Sequence, residues 1–196
     1  MAILRIPRAL RVTLAFALGV AFWIFAAESW HQVLGALVRA TLPGEGAGAL
    51  LVLADRSEIL IGPVEFPAAR GRVPMAVVTS NFALLLGLWG WDRNGFRIRG
   101  LVRLSIALGI LGVLHFVAVV AGIHATVAVQ LSQWAGERYG TFETNLWFTL
   151  WQGYQVVGAW AGAFIIWWAL RSSPRSSIKP RGSHSSDGRA PLHRKP

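Results

Sequence analysis

Five polar side chains lie within stretches of sequence that are otherwise strongly apolar. They comprise one carboxylate, two imidazoles and two amides, namely Glu28, His31, Asn81, His115 and Gln152. Imidazoles and carboxylates can move protons or ligate a metal ion, and amides can both donate to and accept from a polar ligand. Polar groups in apolar surroundings are costly, so these five residues are the first candidates for a binding site.

The catalytic chemistry open to these residues is narrow. The chain has no cysteine, which excludes thiolate nucleophiles, disulfides and cysteine metal sites. It contains no Ser-His-Asp order, phosphate-binding glycine loop, GxSxG or HExxH motif that would mark a reaction centre. Glu28, His31 and His115 are acceptable metal ligands by type, but no HxxxH or HxxE spacing supports a site. We therefore expect no catalytic residue, no metal and no cofactor.

The segments that carry the five residues are long enough to cross a lipid bilayer. The chain is 54% hydrophobic and 14% charged, compared with about 25% charged residues in ordinary soluble domains. Since about 20 apolar residues in a helix cross the hydrocarbon core, we predict spans near 12–30, 74–91, 101–123 and 145–170. The predicted fold class is an all-α integral membrane protein, in which four transmembrane helices form a bundle.

The first span is predicted to be retained and not cleaved as a signal peptide. A cleavage after Ala27 would place the bulky Phe25 at the −3 position, where small residues are required. The helical pattern also continues beyond this point, through Trp30 and Val38. Residues 1–11 are then a basic segment that precedes an uncleaved helix.

The outer loop 43–73 is predicted to contain a small β-hairpin outside the bilayer. Two short β-prone runs, 50–53 and 59–61, flank the polar turn Asp55-Arg56-Ser57-Glu58, a pattern typical of a hairpin. The runs are too short to span a membrane, and their apolar side chains need a surface to pack on. The candidate surfaces are the amphipathic stretch 33–42, the end of the third span near Trp134, and a partner protein. Residues 64–73 are expected to form a loop.

The positive charges predict the orientation of the spans. Three Lys or Arg residues precede the first span, and seven lie in residues 171–196. Four lie at the connection between the second and third spans, when Arg103 just inside the third span is counted. One lies between the third and fourth spans. Arg39 and the three Arg residues of the outer loop are balanced by four acidic residues in that loop. Loops rich in Lys and Arg remain in the cytoplasm, so both termini are predicted to be cytoplasmic. The net charge of +10 is thereby explained without nucleic acid, and the tail 171–196 is expected to be disordered.

The predicted depths bring the polar residues together. At about 1.5 Å per residue, Glu28, Asn81, His115 and Gln152 fall in one layer of the outer leaflet, each from a different helix, and His31 lies one turn further out. Such a layer forms either a pocket open to the outside or a set of hydrogen bonds that holds the bundle together. Either function remains open on the sequence alone.

A stripe of small and polar residues marks the fourth span. Gly158 and Gly162 form a GxxxG pattern, and Gln152 and Gln155 continue the same stripe. Small residues allow helices to approach closely. The stripe therefore predicts a packing surface, for a helix of this chain or of a partner.

The order of these features resembles that of the exosortase H-associated membrane proteins of bacteria. The shared features are a first span with an amphipathic continuation, a short β-like segment that ends at Val73-Pro74-Met75-Ala76, and three further spans, the last ending at Phe164-Ile165-Ile166-Trp167. The resemblance covers most of residues 10–170. It implies an accessory role beside a sortase-like transmembrane transpeptidase, in the bacterial inner membrane, and it carries over no catalytic residues.

The sequence thus leads to one principal hypothesis and two alternatives. The principal hypothesis is a non-enzymatic multi-pass protein that assists an exosortase-type sorting system or envelope assembly, with the lipid bilayer, an exosortase-like membrane protein or a second copy as partners. The first alternative is a small transporter or channel component lined by the polar layer. The second is an intramembrane hydrolase that uses His115 with Glu28 as its base. This alternative is the weakest, because the sequence offers no nucleophile at a matching depth.

Overall fold

Helices account for most of the described part of the chain. The structure is a computed structural model, and it describes residues 7–41, 50–54, 57–63, 70–92, 95–135 and 139–172. The elements in chain order are α1 (Arg8–Thr41), β1 (Leu50–Ala54), β2 (Glu58–Pro63), β3 (Gly71–Pro74), α2 (Met75–Thr79), α3 (Asn81–Gly90), α4 (Ile98–Val129), α5 (Ser132–Ala135), α6 (Thr141–Gly153), a π-helical turn (Tyr154–Gly158) and α7 (Ala159–Ser172). The predicted disordered tail lies outside the described residues from position 173 onward, as do residues 1–6 of the basic N-terminus.

Three helices are long and apolar enough to cross a membrane, by length and composition. They are Arg8–Thr41, Ile98–Val129 and Thr141–Arg171, the last of which joins α6, the π-helical turn and α7. The predicted second span corresponds to a shorter apolar helix, Met75–Gly90, which is interrupted at Ser80 between α2 and α3. Both hydroxyls at this point bond back to the helix: Thr79 Oγ1 to the Met75 carbonyl at 3.0 Å and Ser80 Oγ to the Val77 carbonyl at 3.5 Å. Such bonds compete with the helical ladder and bend helices.

Glycines allow α1 and α3 to pack closely. A Cβ added at Gly19 of α1 would lie 2.9 Å from Ala83 Cα, and one at Gly90 of α3 would lie 2.8 Å from the Arg11 carbonyl oxygen. Because these neighbours are backbone atoms, they cannot move aside as a flexible side chain could. The two helices therefore depend on glycine at these crossing points.

The strands form an antiparallel sheet in the order β1-β2-β3. The predicted hairpin is confirmed in its pairing: Leu50 lies opposite Pro63 and Ala54 opposite Ile59. The prediction of a loop throughout 64–73 is wrong, because residues 71–74 form β3, with Val73 opposite Ile59. A four-residue strand that begins with glycine and ends with proline has weak β propensity, so its pairing depends on tertiary packing.

That packing is visible where the sheet meets the helices. Ile59, Ile61 and Val73 are fully buried in one cluster with Leu34 of α1 and Ile123 of α4. A Cβ at Gly71 would lie 2.2 Å from Thr126 Cγ2 of α4, so β3 packs directly on that helix. The sheet therefore covers one end of the bundle, hereafter the sheet end, and two of the three predicted surfaces receive it. The side chains of Leu50 to Arg56 and of Trp134 lie outside the described part of the structure.

Candidate functional site

A fully buried polar contact inside the bundle joins α3 to α4. His115 Nε2 lies 2.8 Å from Asn81 Oδ1, and each residue is 1% exposed. The indole N–H of Trp30, on α1, donates to His115 Nδ1 at 3.2 Å. Since an indole can only donate, His115 Nδ1 carries no proton, and its Nε2–H must donate to Asn81. The contacts thus define a neutral imidazole with a single tautomer.

The amide of Asn81 continues the network to the last helix. Its Nδ2 donates to the Ala159 carbonyl oxygen at 2.9 Å and lies 3.4 Å from the Tyr154 hydroxyl. That hydroxyl donates in turn to the Val78 carbonyl oxygen at 3.0 Å. Tyr154 begins the π-helical turn and Ala159 follows it. The amide of Asn81 therefore contacts both ends of the π-helical turn.

A second polar centre lies at Thr79, two residues before Asn81 in the chain. The indole N–H of Trp23 donates to Thr79 Oγ1 at 3.0 Å, and His31 Nε2 lies 3.1 Å from the same atom. The single proton of Thr79 bonds to the Met75 carbonyl oxygen. The hydroxyl therefore accepts from both Trp23 and His31, which ties two turns of α1 to the C-terminal end of α2.

The arrangement is chemically saturated. Both ring nitrogens of His115 and both polar atoms of the Asn81 side chain have partners at hydrogen-bonding distance. A general base or a metal ligand needs a lone pair that is free to accept a proton or an ion, and in this conformation His115 has none. Among the described residues, no three His, Asp or Glu side chains are grouped so that they could hold a metal ion. What the network does is join α1, α3, α4 and the final helix to one another.

The structure brings three of the five predicted site residues into these two centres. Asn81 and His115 meet directly, and His31 joins through Thr79. Glu28 is exposed and continues the outward-facing stripe of Ile24 and Phe25 on α1. Gln152 is also exposed, so the predicted depth is not sufficient to make it part of the buried layer. The rotation of each helix about its axis decides which side chains point inward, and depth carries no information on that rotation.

The stripe on the final helix packs within this chain at one of its glycines. A Cβ at Gly162 would lie 2.6 Å from Leu114 Cδ2 of α4, whereas one at Gly158 would meet the ring of Tyr154 of its own helix at 2.9 Å. Gln155 is half-buried. Gly162 therefore serves the contact with α4, and Gly158 accommodates the Tyr154 ring that belongs to the network.

Four network members were absent from the predicted set: Trp23, Trp30, Thr79 and Tyr154. Tryptophans are common at membrane interfaces, but the N–H of Trp30 is used inside the bundle. Thr79 lies two residues from Asn81, and Tyr154 lies two residues from Gln152. Their positions in the sequence are a usable signal, because buried hydroxyls and indoles need partners and the nearest polar residues are the candidates.

A further aromatic group lies closer to the sheet end. His124 Nδ1 is 2.7 Å from the Tyr139 hydroxyl, and the His124 ring stacks on Trp147 with centroids 4.4 Å apart. The group fastens the beginning of α6 to α4.

A cavity of about 330 Å³ lies beside the polar network. It is open on one side between α1 and α4, and its walls include Phe22, Ala26, Trp30, Phe82, Leu111 and Gly112. Thr79 and His115 lie at its floor, where their polar atoms are already bonded to other groups. The cavity is therefore apolar in character, although it adjoins the polar centres.

Comparisons of the chain with protein-family models, with curated proteins and with solved structures gave no match. The geometry of the described residues is therefore the basis for the functional argument.

Proposed function

We propose that this chain is a non-enzymatic, multi-pass protein of the bacterial inner membrane that assists a membrane-bound protein-sorting enzyme of the exosortase type, or a related step of envelope assembly. In this proposal α1, the α2–α3 pair, α4 and the α6–α7 unit are four spans. Both termini are cytoplasmic, and the sheet end faces outward. The lipid bilayer and a membrane-protein partner complete the arrangement.

The exposed apolar surface supports a location in the membrane. Large apolar side chains project outward on all three long helices, for example Phe25 at 86%, Val113 at 65% and Ile165 at 62% exposure. Soluble monomers rarely expose such continuous apolar surface, because it would be in contact with water. Surrounding lipid removes that cost.

The short second span is compatible with this proposal. The sixteen positions from Met75 to Gly90 extend about 24 Å at 1.5 Å per residue, less than the ~30 Å hydrocarbon core. Alternate residues of α3 are buried, from Asn81 and Ala83 to Trp89, so this helix lies within the bundle. A helix that contacts mainly other helices can be shorter than the core, since protein rather than lipid surrounds its ends.

The saturated hydrogen bonding of His115 and Asn81 is the observation that carries the accessory role. An enzyme or a transporter needs polar groups that are available to a substrate. Here these groups bind one another, and the neighbouring cavity is apolar. A protein whose polar residues serve its own assembly fits a partner-binding or scaffolding role better than a catalytic or transport role.

Photo-crosslinking followed by purification tests the proposal. A benzophenone amino acid is placed at Ser57, an exposed residue at the sheet end, or at Ile98, which is 82% exposed at the opposite end. Cells that express the variants are irradiated and the protein is purified in mild detergent. We expect a discrete crosslinked partner from Ser57, in agreement with a partner that acts outside the cytoplasm.

Ile98 is the matched control, because a crosslink from this position as well would show that exposed residues are labelled without regard to their location. Recovery of the chain alone from both variants, without a stoichiometric partner, would count against the accessory role. A crosslink between two copies of the chain would instead favour self-association.

A further inference from the structure

We infer that the cavity between α1 and α4 holds an acyl chain of a membrane phospholipid. The inference rests on the proposed membrane location. It adds a ligand to the fold, because it assigns a lipid-binding groove beside the polar network, whose members Trp30, Thr79 and His115 form part of its lining.

The groove exists because α1 and α4 do not pack tightly against each other. Glycine contacts bring α1 close to α3, as at Gly19. Between α1 and α4, the Trp30 ring packs on Gly112. A Cβ added at Gly112 would lie 3.3 Å from Cη2 of that ring. The indole thus holds the two helices apart, and its N–H bond to His115 keeps it in that position. The separation is therefore built into the fold.

The walls select an apolar ligand. Phe22, which stacks on Phe82 with ring centroids 5.2 Å apart, forms one part of the wall, and Ala26 and Leu111 form others. The hydroxyl of Thr79 and the ring of His115 are already bonded, and Ser29 adds one further hydroxyl to a lining that is otherwise dominated by apolar side chains. A volume of about 330 Å³ is at the lower end of the range for ligand pockets.

The mouth of the groove opens onto the surface that the bilayer would cover. Two of its lining residues on α1, Phe22 and Val33, are themselves exposed, and the exposed Phe25 lies beside them on the same helix. The lining extends on α1 from Phe22 to Val33, which is roughly 16 Å along the helix axis. A transmembrane helix of a partner is about 10 Å wide with its side chains. It would therefore lie over both α1 and α4 and would not enter the groove. A short, narrow groove suits a single hydrocarbon chain.

Photolabelling with a phospholipid that carries a diazirine in the middle of one acyl chain tests the inference. The protein is reconstituted into vesicles of phosphatidylethanolamine and phosphatidylglycerol, and labelled peptides are located by mass spectrometry. We expect labels concentrated on the segments 22–33 and 108–115. Labels distributed evenly over all exposed apolar faces would overturn the inference.

Two variants in which an alanine of α1 is replaced by phenylalanine make the test more specific. Ala26→Phe places a ring in the groove, whereas Ala21→Phe places the same ring on the exposed face of α1, outside the lining. Ala26→Phe should reduce labelling of the groove roughly ten-fold, equivalent to about 1.4 kcal/mol of binding free energy. Ala21→Phe should leave that labelling unchanged. If Ala26→Phe fails to fold, Ala27→Phe replaces it, since Ala27 also lines the groove.

The outcomes separate this inference from the proposed function. Absence of any label from within the bilayer, together with release of the protein by an alkaline wash, would contradict the membrane location itself. Labelling of the outer faces that spares both groove segments, in wild type and Ala26→Phe alike, would reject only the acyl chain. If both groove segments remain unlabelled by lipid and a partner peptide is crosslinked to them, the groove binds a partner helix instead.

Discussion

His115 on α4 donates from Nε2 to Oδ1 of Asn81 on α3 across 2.8 Å, with both side chains almost fully buried. The two residues are 34 positions apart in the chain. Each uses its remaining polar atoms to reach a further helix, since His115 accepts from Trp30 of α1 and Asn81 donates to the Ala159 carbonyl. One amide–imidazole pair therefore lies at the centre of the contacts among all the long elements.

We expect Asn81→Leu to reduce the free energy of unfolding by about 1–3 kcal/mol, because it leaves the Nε2–H of His115 buried without an acceptor. The double variant Asn81→Leu with His115→Leu should cost less than the sum of the two single changes, since no half of the pair remains. Thermal unfolding in detergent, followed by tryptophan fluorescence, gives the measurement. Gln152→Leu, at an exposed amide, is the control and should change stability by under about 0.5 kcal/mol. Strict additivity of the single changes would contradict the pairing.

Thr79→Val should also be destabilising, by about 1–3 kcal/mol, because His31 and Trp23 both lose their acceptor while the side chain keeps its shape. Thr79→Ser retains the hydroxyl and should lose much less. Ser80→Ala removes a neighbouring hydroxyl whose bond to the Val77 carbonyl is long, at 3.5 Å. Equal unfolding temperatures for Thr79→Val and Ser80→Ala would show that the Thr79 centre does not contribute to stability.

Gly19→Leu should separate α1 from α3 and cost at least about 1–3 kcal/mol, the usual range for overpacking. The nearest atom to an added Cβ is the Ala83 Cα, so no side-chain rotation relieves the clash. Gly109→Leu is the matched control, because nothing lies within 4 Å of its added Cβ. It should be neutral or stabilising, by up to about 1 kcal/mol, through improved helix propensity. Comparable losses of stability in the two variants would argue against close α1–α3 packing.

Ile61→Asp should detach the sheet from the bundle, because it places an unpaired carboxylate in the apolar cluster, at a cost of about 3–5 kcal/mol. Ser57→Asp, in the exposed turn, should be tolerated. Proteolysis of vesicles from the sheet side measures the difference: residues 50–74 should be cut rapidly only in Ile61→Asp. Rapid cleavage of the wild-type sheet would mean that it does not dock stably on the helices.

The proposed topology predicts where reporters become active. A fusion after Arg181 should be active only with a cytoplasmic reporter. Residues 171–196 contain seven Lys and Arg residues, and segments rich in these residues remain in the cytoplasm. An insertion at Arg56 should be active only with a reporter that functions outside the cytoplasm. An external signal from Arg181 would require an odd number of spans, and the α2–α3 helix, the shortest of the four, would be the first to reconsider.

The amino-acid sequence by itself determined the helical segments, the pairing of β1 with β2 and the common depth of Asn81 and His115. Hydropathy and strand alternation are local properties, and depth follows from a constant rise per residue. Only the tertiary structure decided which side chains at that depth meet. It turned Gln152 outward and brought Tyr154, the first residue of the π-helical turn, inward. It also added β3, whose four residues pair because Gly71 and Val73 pack on α4. Rotation about a helix axis and the pairing of a weak strand both depend on contacts between residues distant in the chain, and no local pattern encodes them.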